Sequence, residues 1–295
     1  IKHGIFILLD EIEKSWFPYT IDEHGFVMTI QLPNGKNRII YNADYGFDSS
    51  SLRRIFEDKI YTSKILRNWK FPVPNDMIII KDRSSYSTTS NNTLACLDFA
   101  KKNGYPLIFK PNDGSFGIGV QKIFNQEQLL KVLEDNKGLY LLQQYIPWKD
   151  YRVIYLDGEI LAAYERIPPK VVGNGISSID QLIDKGFQDL EINKITTYLQ
   201  QQNLSLDSVL PQDLEFNLLP TANIATGGFV REVQATETDR LFLERVAKCF
   251  WARYFWVDIL SNGELADWVI LEINKSPITK GISTASEKFR TSYPK

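Results

Sequence analysis

The sequence is short of the residues on which many active sites are built. Two histidines, His3 and His24, and two cysteines, Cys96 and Cys249, occur in 295 residues. So few imidazoles and thiols exclude most histidine-based catalytic schemes, cysteine zinc sites and a disulfide framework. A secreted chain of this length has room for one disulfide, but a reducing cytoplasm is the expected setting. Long apolar runs are absent too. The stretch Gly4-Ile5-Phe6-Ile7-Leu8-Leu9 meets acidic residues at once and reads as a buried strand, not a membrane span. Formal net charge is −2 and the 34 basic residues are scattered. Without a positive field, neither nucleic acid nor a membrane is an expected partner. The chain opens on Ile1 without methionine, which leads to the expectation that the natural start lies upstream.

What is present suits an enzyme. Hydrophobic residues make up 43% of the chain, enough for a large core in two or three lobes. Short strands are predicted at Phe26 to Leu32 and Arg38 to Tyr41, with a turn over Leu32-Pro33-Asn34-Gly35-Lys36. The serines at 49 to 51 cap a predicted helix running from Leu52 to Trp69, ended by Phe71-Pro72-Val73-Pro74. A strand at Met77 to Ile80 precedes a polar stretch from Ser84 to Thr93. A helix from Thr93 to Lys102 then closes at Asn103-Gly104. Strands follow at Tyr105 to Pro111, Val120 to Phe124 and Leu139 to Tyr145, with a helix over Gln126 to Glu134. Hairpins are predicted at Arg152 to Tyr164, turning at Asp157-Gly158, and at Phe255 to Ile273, turning at Asn262-Gly263. A helix from Thr238 to Phe250 precedes the second. Strands and helices mixed in this order indicate an α/β or α+β enzyme.

Two constellations carry chemistry. In Lys110-Pro111-Asn112-Asp113-Gly114-Ser115-Phe116-Gly117-Ile118-Gly119, glycines let backbone amides approach an anion and the lysine adds a point charge. Strands on both sides make it neither a Walker loop nor a dinucleotide fingerprint, and an ordinary glycine-rich hairpin accounts for the same residues. The second is Asp258 on one strand with Glu272-Ile273-Asn274 on its hairpin partner. Alternation can bring these oxygen ligands to one face, in a set suited to Mg²⁺ shared with phosphates. A solvated hairpin face is the alternative, weakened by the apolar Val257, Ile259, Ile270, Leu271 and Ile273 around it.

A phosphate-cradling hairpin followed about 150 residues later by a metal-binding hairpin is the order of ATP-grasp enzymes. From about residue 56 to 280 the chain resembles the ATP-grasp domain of the cyanophycin synthetase and bifunctional glutathione synthetase families. The matching stretches are Asp58-Lys59 with Thr62, Phe71 to Pro74, the Lys110 loop, Asp150-Tyr151-Arg152, Val171-Val172-Gly173-Asn174-Gly175, Leu204 to Val209, Thr221 to Gly228 and Glu272-Ile273-Asn274. The resemblance implies an α+β ATP-grasp fold with ATP between a central and a C-terminal lobe and a short N-terminal lobe. The corresponding divisions are 1–75, 76–147 and 148–295.

The resemblance also implies roles. Lys59 and Lys110 hold nucleotide phosphates beside Gly114, Ser115 and Gly117. Gln143, Gln144, Tyr145 and Ile146 hold adenine through their backbone, and Asp150 takes the ribose. Arg166 contacts the phosphate or acyl phosphate, with Arg152 as a second catalytic candidate; both also read as salt-bridge partners. Lys170 is a γ-phosphate contact or a solvated lysine. Asp258, Glu272 and Asn274 bind Mg²⁺. Lys110 is expected to lie outside the core. Departures from the family occur at Leu219, where an arginine is usual, at Trp256, where a small residue precedes the first metal ligand, and at Lys275 and Ile278. Trp256 and Lys275 are expected to narrow the acceptor site and add positive charge.

The activity implied is an ATP-dependent carboxylate–amine ligase acting on an amino acid or peptide through an acyl phosphate, with a homodimer left open. A non-catalytic ATP-binding module and a small-molecule kinase are the alternatives.

Overall fold

The computed structural model describes residues 13, 16–42, 44–81, 93–114, 119–183, 191–220, 228–263 and 267–275. The strand expected at Ile5 to Leu9, most of the polar stretch after residue 81, Ser115, Gly117, residues 221–227 and Ile278 lie outside the described residues. Three consecutive lobes are what the sequence predicts. By compactness the chain divides into two interleaved units, one of residues 1–73, 151–165 and 231–295, the other of 74–150 and 166–230. The reason is strand pairing. The hairpin at 151–165 joins a sheet with strands from the C-terminal part of the chain, not with its sequence neighbours.

In the first unit, β1 (Tyr19–Ile21), β2 (Val27–Gln31) and β3 (Asn37–Tyr41) form a three-stranded antiparallel sheet. The predicted turn before β3 is present, with the Gly35 N–H donating to the Leu32 carbonyl. Ser49 caps helix α1 (Ser50–Glu57), its hydroxyl accepting the Leu52 N–H at 3.2 Å. The sequence predicts one helix onward to Trp69, but the structure breaks it at Asp58. This residue leaves helical geometry (φ −97°, ψ 97°) and begins α2 (Lys59–Asn68) by accepting the Tyr61 N–H at 3.0 Å. Thr62 fastens the break by donating its hydroxyl to the Ile55 carbonyl at 2.6 Å. A buried aspartate with caps on both sides of it is a helix start, and it places Lys59 on the first turn of α2. Asp58→Ala is expected to lower stability by about 1 kcal/mol while Asp58→Asn keeps most of it, a contrast that thermal melting reads directly.

The larger sheet runs β12 (Phe229–Glu232), β9 (Glu159–Ile167), β8 (Lys149–Leu156), β13 (Tyr254–Ser261) and β14 (Val269–Asn274) in spatial order. The turn between β8 and β9 has positive φ at both Asp157 and Gly158, the geometry that two-residue hairpins demand. Helix α7 (Glu237–Phe250) opens on a capping box formed by Thr236 and Asp239. Its Leu243, Val246 and Phe250 share a core with Leu52, Phe56, Leu66, Val153, Phe255, Val257, Ile259, Ile270 and Ile273. Each such side chain taken from water contributes about 1.5–3 kcal/mol, so this cluster anchors every strand that carries a candidate ligand.

The second unit holds an antiparallel sheet in the order β4 (Asp76–Lys81), β7 (Gly138–Gln144), β5 (Leu107–Pro111) and β6 (Gln121–Ile123). Leu107, Phe109, Ile123, Leu142 and Ile79 pack with Cys96 and Ala100 of α3 (Thr93–Asn103) and Leu129, Val132 and Leu133 of α4 (Gln126–Asp135). By alternation, Ile108 and Lys110 point to the opposite face, beside Leu141 and Gln143 on the register-matched β7. Gly119 (φ +74°) closes the glycine-rich turn so tightly that a Cβ there would lie 2.8 Å from the Pro111 ring.

A second core in this unit holds β10 (Lys170–Val172), β11 (Glu215–Asn217), α5 (Ile179–Leu182) and α6 (Ile192–Gln200). Gly173 is required there, because a Cβ would sit 2.1 Å from the Pro211 carbonyl oxygen. Leu219 is 4% exposed within the same core, which accounts for an apolar residue where the family has arginine. Cys96 and Cys249 are both free thiols. Among the described residues no helix is long and apolar enough to cross a membrane.

Candidate functional site

The β13–β14 hairpin brings the three predicted metal ligands together. Asp258 and Glu272 are cross-strand partners, and Asn274 lies opposite Trp256 two residues along. A β-bulge makes this possible. The register runs Asp258 to Glu272 and then Ile259 to Ile270, so Leu271 is an extra residue on β14. Without it, Ile270 would share the face of Glu272 and Asn274. With it, Ile270 and Ile273 both enter the core while Glu272 and Asn274 turn to the other face with Asp258. The signal was in the sequence: two buried isoleucines three positions apart do not fit a strand of period two.

Every residue of β13 is buried, and Asp258 is only 2% exposed. A carboxylate so placed needs a strong partner. Arg152 on β8 supplies one in a bidentate pair, Nε to Oδ1 and Nη2 to Oδ2, both 2.7 Å. The guanidinium also lies 3.9 Å from the centre of the Trp256 ring, held between indole and carboxylate. Glu272 pairs with Lys59 at 3.6 Å through Oε2 and accepts the Asn274 amide N–H on Oε1 at 2.9 Å. That orientation leaves the Asn274 amide oxygen, the atom a cation would use, outside the bond. Lys275 was expected to add positive charge here; its ammonium instead pairs with Glu57 at the end of α1.

The donor set fits magnesium. It offers two carboxylates and an amide oxygen, all hard ligands, and Mg²⁺ retains waters and phosphate oxygens besides. Among the described residues no group of three or more His, Cys, Asp or Glu side chains is placed to hold a metal alone.

The second unit contains the other predicted residues. Lys110 is 7% exposed, so the expectation that it lies outside the core is corrected: its stem is buried on the sheet face opposite α3 and α4. Gln143 is 3% exposed on the same face. Gln144 ends β7 and donates its backbone N–H to the Asn75 carbonyl at 2.8 Å, so strand pairing stops where Tyr145 and Ile146 begin. The Lys122 ammonium lies 3.8 Å from the centre of the Tyr145 ring. Burial pushes the nearby Tyr198 phenol up to about 12, with Tyr145 adding to the rise and Gln202 opposing it. Tyr198 therefore stays protonated near neutrality.

Asp150 and Arg166 are also brought together. The guanidinium grips Asp150 Oδ1 and Oδ2 at 2.7 and 2.8 Å through Nη2. The ribose acid and the catalytic arginine of the sequence reading are thus one ion pair. Lys170 is exposed on β10 and pairs with Glu215 at 2.9 Å, as a solvated lysine does. Gly114 is described, whereas Ser115 and Gly117 are not.

The comparisons agree with this architecture. The bifunctional glutathione synthetase from Pasteurella multocida superposes with a TM-score of 0.56 at 22% identity, over 94% of this chain and 40% of that one. The fold is therefore ATP-grasp, an α+β fold of antiparallel sheets and helices. More specifically, residues 56–171 match the RimK-like ATP-grasp domain. Among curated relatives, cyanophycin synthetase of Synechocystis sp. is 30% identical over 201 residues, 59% of this chain and 23% of the relative. The glutathione biosynthesis bifunctional protein GshAB of Streptococcus mutans is 28% identical over 274 residues, 85% and 34% respectively. The chain thus spans about a quarter to a third of the length of these relatives.

Proposed function

We propose that this protein is an ATP-dependent ligase that joins the carboxylate of an amino acid or peptide to an amine, with magnesium and in the cytoplasm. The observation that carries the reading is the bulged β13–β14 hairpin. It spends a backbone irregularity on gathering Asp258, Glu272 and Asn274 on one face of an otherwise buried strand pair. Relatives named for cyanophycin and glutathione synthesis support a ligase that handles amino acids or peptides.

In the proposed reaction a carboxylate oxygen of the substrate attacks the γ-phosphorus of ATP, the bond to the β-bridging oxygen breaks, and ADP leaves. The amine then attacks the acyl carbon and inorganic phosphate departs with the carbon–oxygen electron pair. The amine gives up its proton as the amide forms. Asp258, Glu272 and Asn274 would hold magnesium, which would supply charge neutralisation on the phosphates. Lys110 and Lys59 are each proposed to contribute positive charge to the nucleotide phosphates, a form of electrostatic stabilisation. Arg152 holds the Asp258 carboxylate in orientation through its bidentate pair, acting through it. Arg166, fixed by Asp150, is the guanidinium proposed for the acyl phosphate.

The test is ADP release over a panel of amino acids and dipeptides, each with and without a second amine. The ligase reading expects ADP only when carboxylate and amine are both present. ADP from a single substrate without amine identifies a kinase, and no turnover with retained ATP affinity identifies a binding module. Within this reading, Lys110→Met keeps the buried stem and removes the charge. It is expected to weaken ATP binding about ten- to a hundredfold by calorimetry with the fold retained. Unchanged affinity would remove Lys110 from the site.

A further inference from the structure

One buried donor on the face of Asp258 has no acceptor among the described residues. Trp256 is 7% exposed, and its indole Nε1 has no hydrogen-bond partner among the described residues. Unpaired buried N–H groups are rare because they lose water without recovering a bond. This one is not adrift in the core. The core clusters Phe255, Val257 and Ile259 of the same strand, whereas Trp256 alternates to the face of Asp258 and lies opposite Asn274. Its ring is fixed by the Arg152 guanidinium 3.9 Å from its centre, and Arg152 is itself clamped by Asp258. The orphan therefore lies beside Asp258 and Asn274, two of the proposed metal ligands.

An indole N–H is neutral and can only donate, so whatever meets it presents an acceptor oxygen. Phosphate oxygens are poor candidates, since a neutral donor adds little where lysines and a cation already serve. A carbonyl or carboxylate oxygen of the second substrate has no neutral donor among the residues assigned above. Resting on the ligase reading above, we infer that Trp256 is a specificity-determining residue. Its N–H donates to an oxygen of the carboxylate-bearing substrate, and its ring limits that substrate to a compact group at this point. Sites built to satisfy a buried polar group reject ligands that leave it unpaired.

The test compares wild type with Trp256→Phe, which keeps a ring under Arg152 and removes the N–H. For whichever amino acid or dipeptide supports ADP release, KM for that substrate is expected to rise about ten- to a hundredfold. KM for ATP should stay within about twofold, and the melting temperature should hold or rise because an unpaired donor has gone. In parallel, the Trp256 indole ¹⁵N–¹H resonance is followed with magnesium and a non-hydrolysable ATP analogue while the same panel is titrated. The resonance is assigned by its loss in Trp256→Phe, or in Trp256→Tyr if the first variant does not fold. A proton shift on adding the carboxylate substrate, and not on adding nucleotide alone, is the expected result. An unchanged substrate KM, a loss falling on ATP instead, or a resonance that no panel member moves overturns the inference. Should wild type release no ADP with any panel member, the ligase reading fails by itself. The indole titration then still decides whether Trp256 contacts a carboxylate.

Discussion

Glu272→Gln is expected to reduce ADP release about a hundredfold or more at saturating substrate while the protein melts close to wild type. Gln keeps the shape of the side chain and its contact with Asn274, so packing on β14 is preserved. What disappears is one negative charge from a set of two carboxylates and an amide. In a partly dry site that charge is worth several kcal/mol on the developing phosphoryl charge, and each 1.4 kcal/mol is a factor of ten in rate. The variant should also need more magnesium for half-maximal activity, because the remaining donors bind the cation weakly without nucleotide. Activity and melting measured on one sample across a magnesium titration check this. A Glu272→Gln protein that melts early yet turns over at the wild-type rate would remove the metal site from the hairpin, and the ligase reading with it.

The second large effect is on stability. Arg152→Met leaves the Asp258 carboxylate, 2% exposed, without the guanidinium that grips both its oxygens. Breaking a buried ion pair from one side costs about 3–5 kcal/mol, because the surviving charge is stranded away from water. For a chain of this size the melting temperature should fall by roughly 10 °C. Asp258→Asn is expected to behave differently. It strands no charge in the core, since the Arg152 side chain is 17% exposed and can reach solvent. Stability should suffer less, while ADP release falls for want of a metal ligand. The double change Arg152→Met, Asp258→Asn should recover much of the stability and none of the activity. Equal melting of the two single variants would mean that the pair is not the anchor the geometry indicates.

Much of this was legible in the sequence because its signals were local. Ser49 announced a helix start, Asp157-Gly158 announced a hairpin, and the Lys110 loop and the Glu272-Ile273-Asn274 strand end stood out against a chain with almost no histidine. What was not legible depended on contacts distant in sequence. Nothing in the run from Leu52 to Trp69 says that Asp58 will turn its carboxylate to cap the next helix, because the apolar periodicity continues across it. Lys110 reads as a phosphate-binding lysine outside the core until the β7 register places Leu141 and Gln143 beside it. Arg152 and Asp258 lie 106 positions apart, and Arg166 and Asp150 are joined only by the β8–β9 hairpin. The interleaving of the two units has the same origin, since pairing of the β8–β9 hairpin with β13 is a long-range choice.

Leu271 gives the hairpin a phase. On one side of it the strand keeps time with the core, through Ile270. On the other it keeps time with the ligands, through Glu272 and Asn274, half a period out of step. No side-chain substitution can reproduce such an offset, because it belongs to the count of residues and not to their identity. Deleting Leu271 would therefore be unlike any point change in this strand. The chain could hold its isoleucine in the core or its glutamate beside Asp258, but the two demands could no longer be met by one register. The length of this stretch is therefore constrained separately from the identities of its side chains.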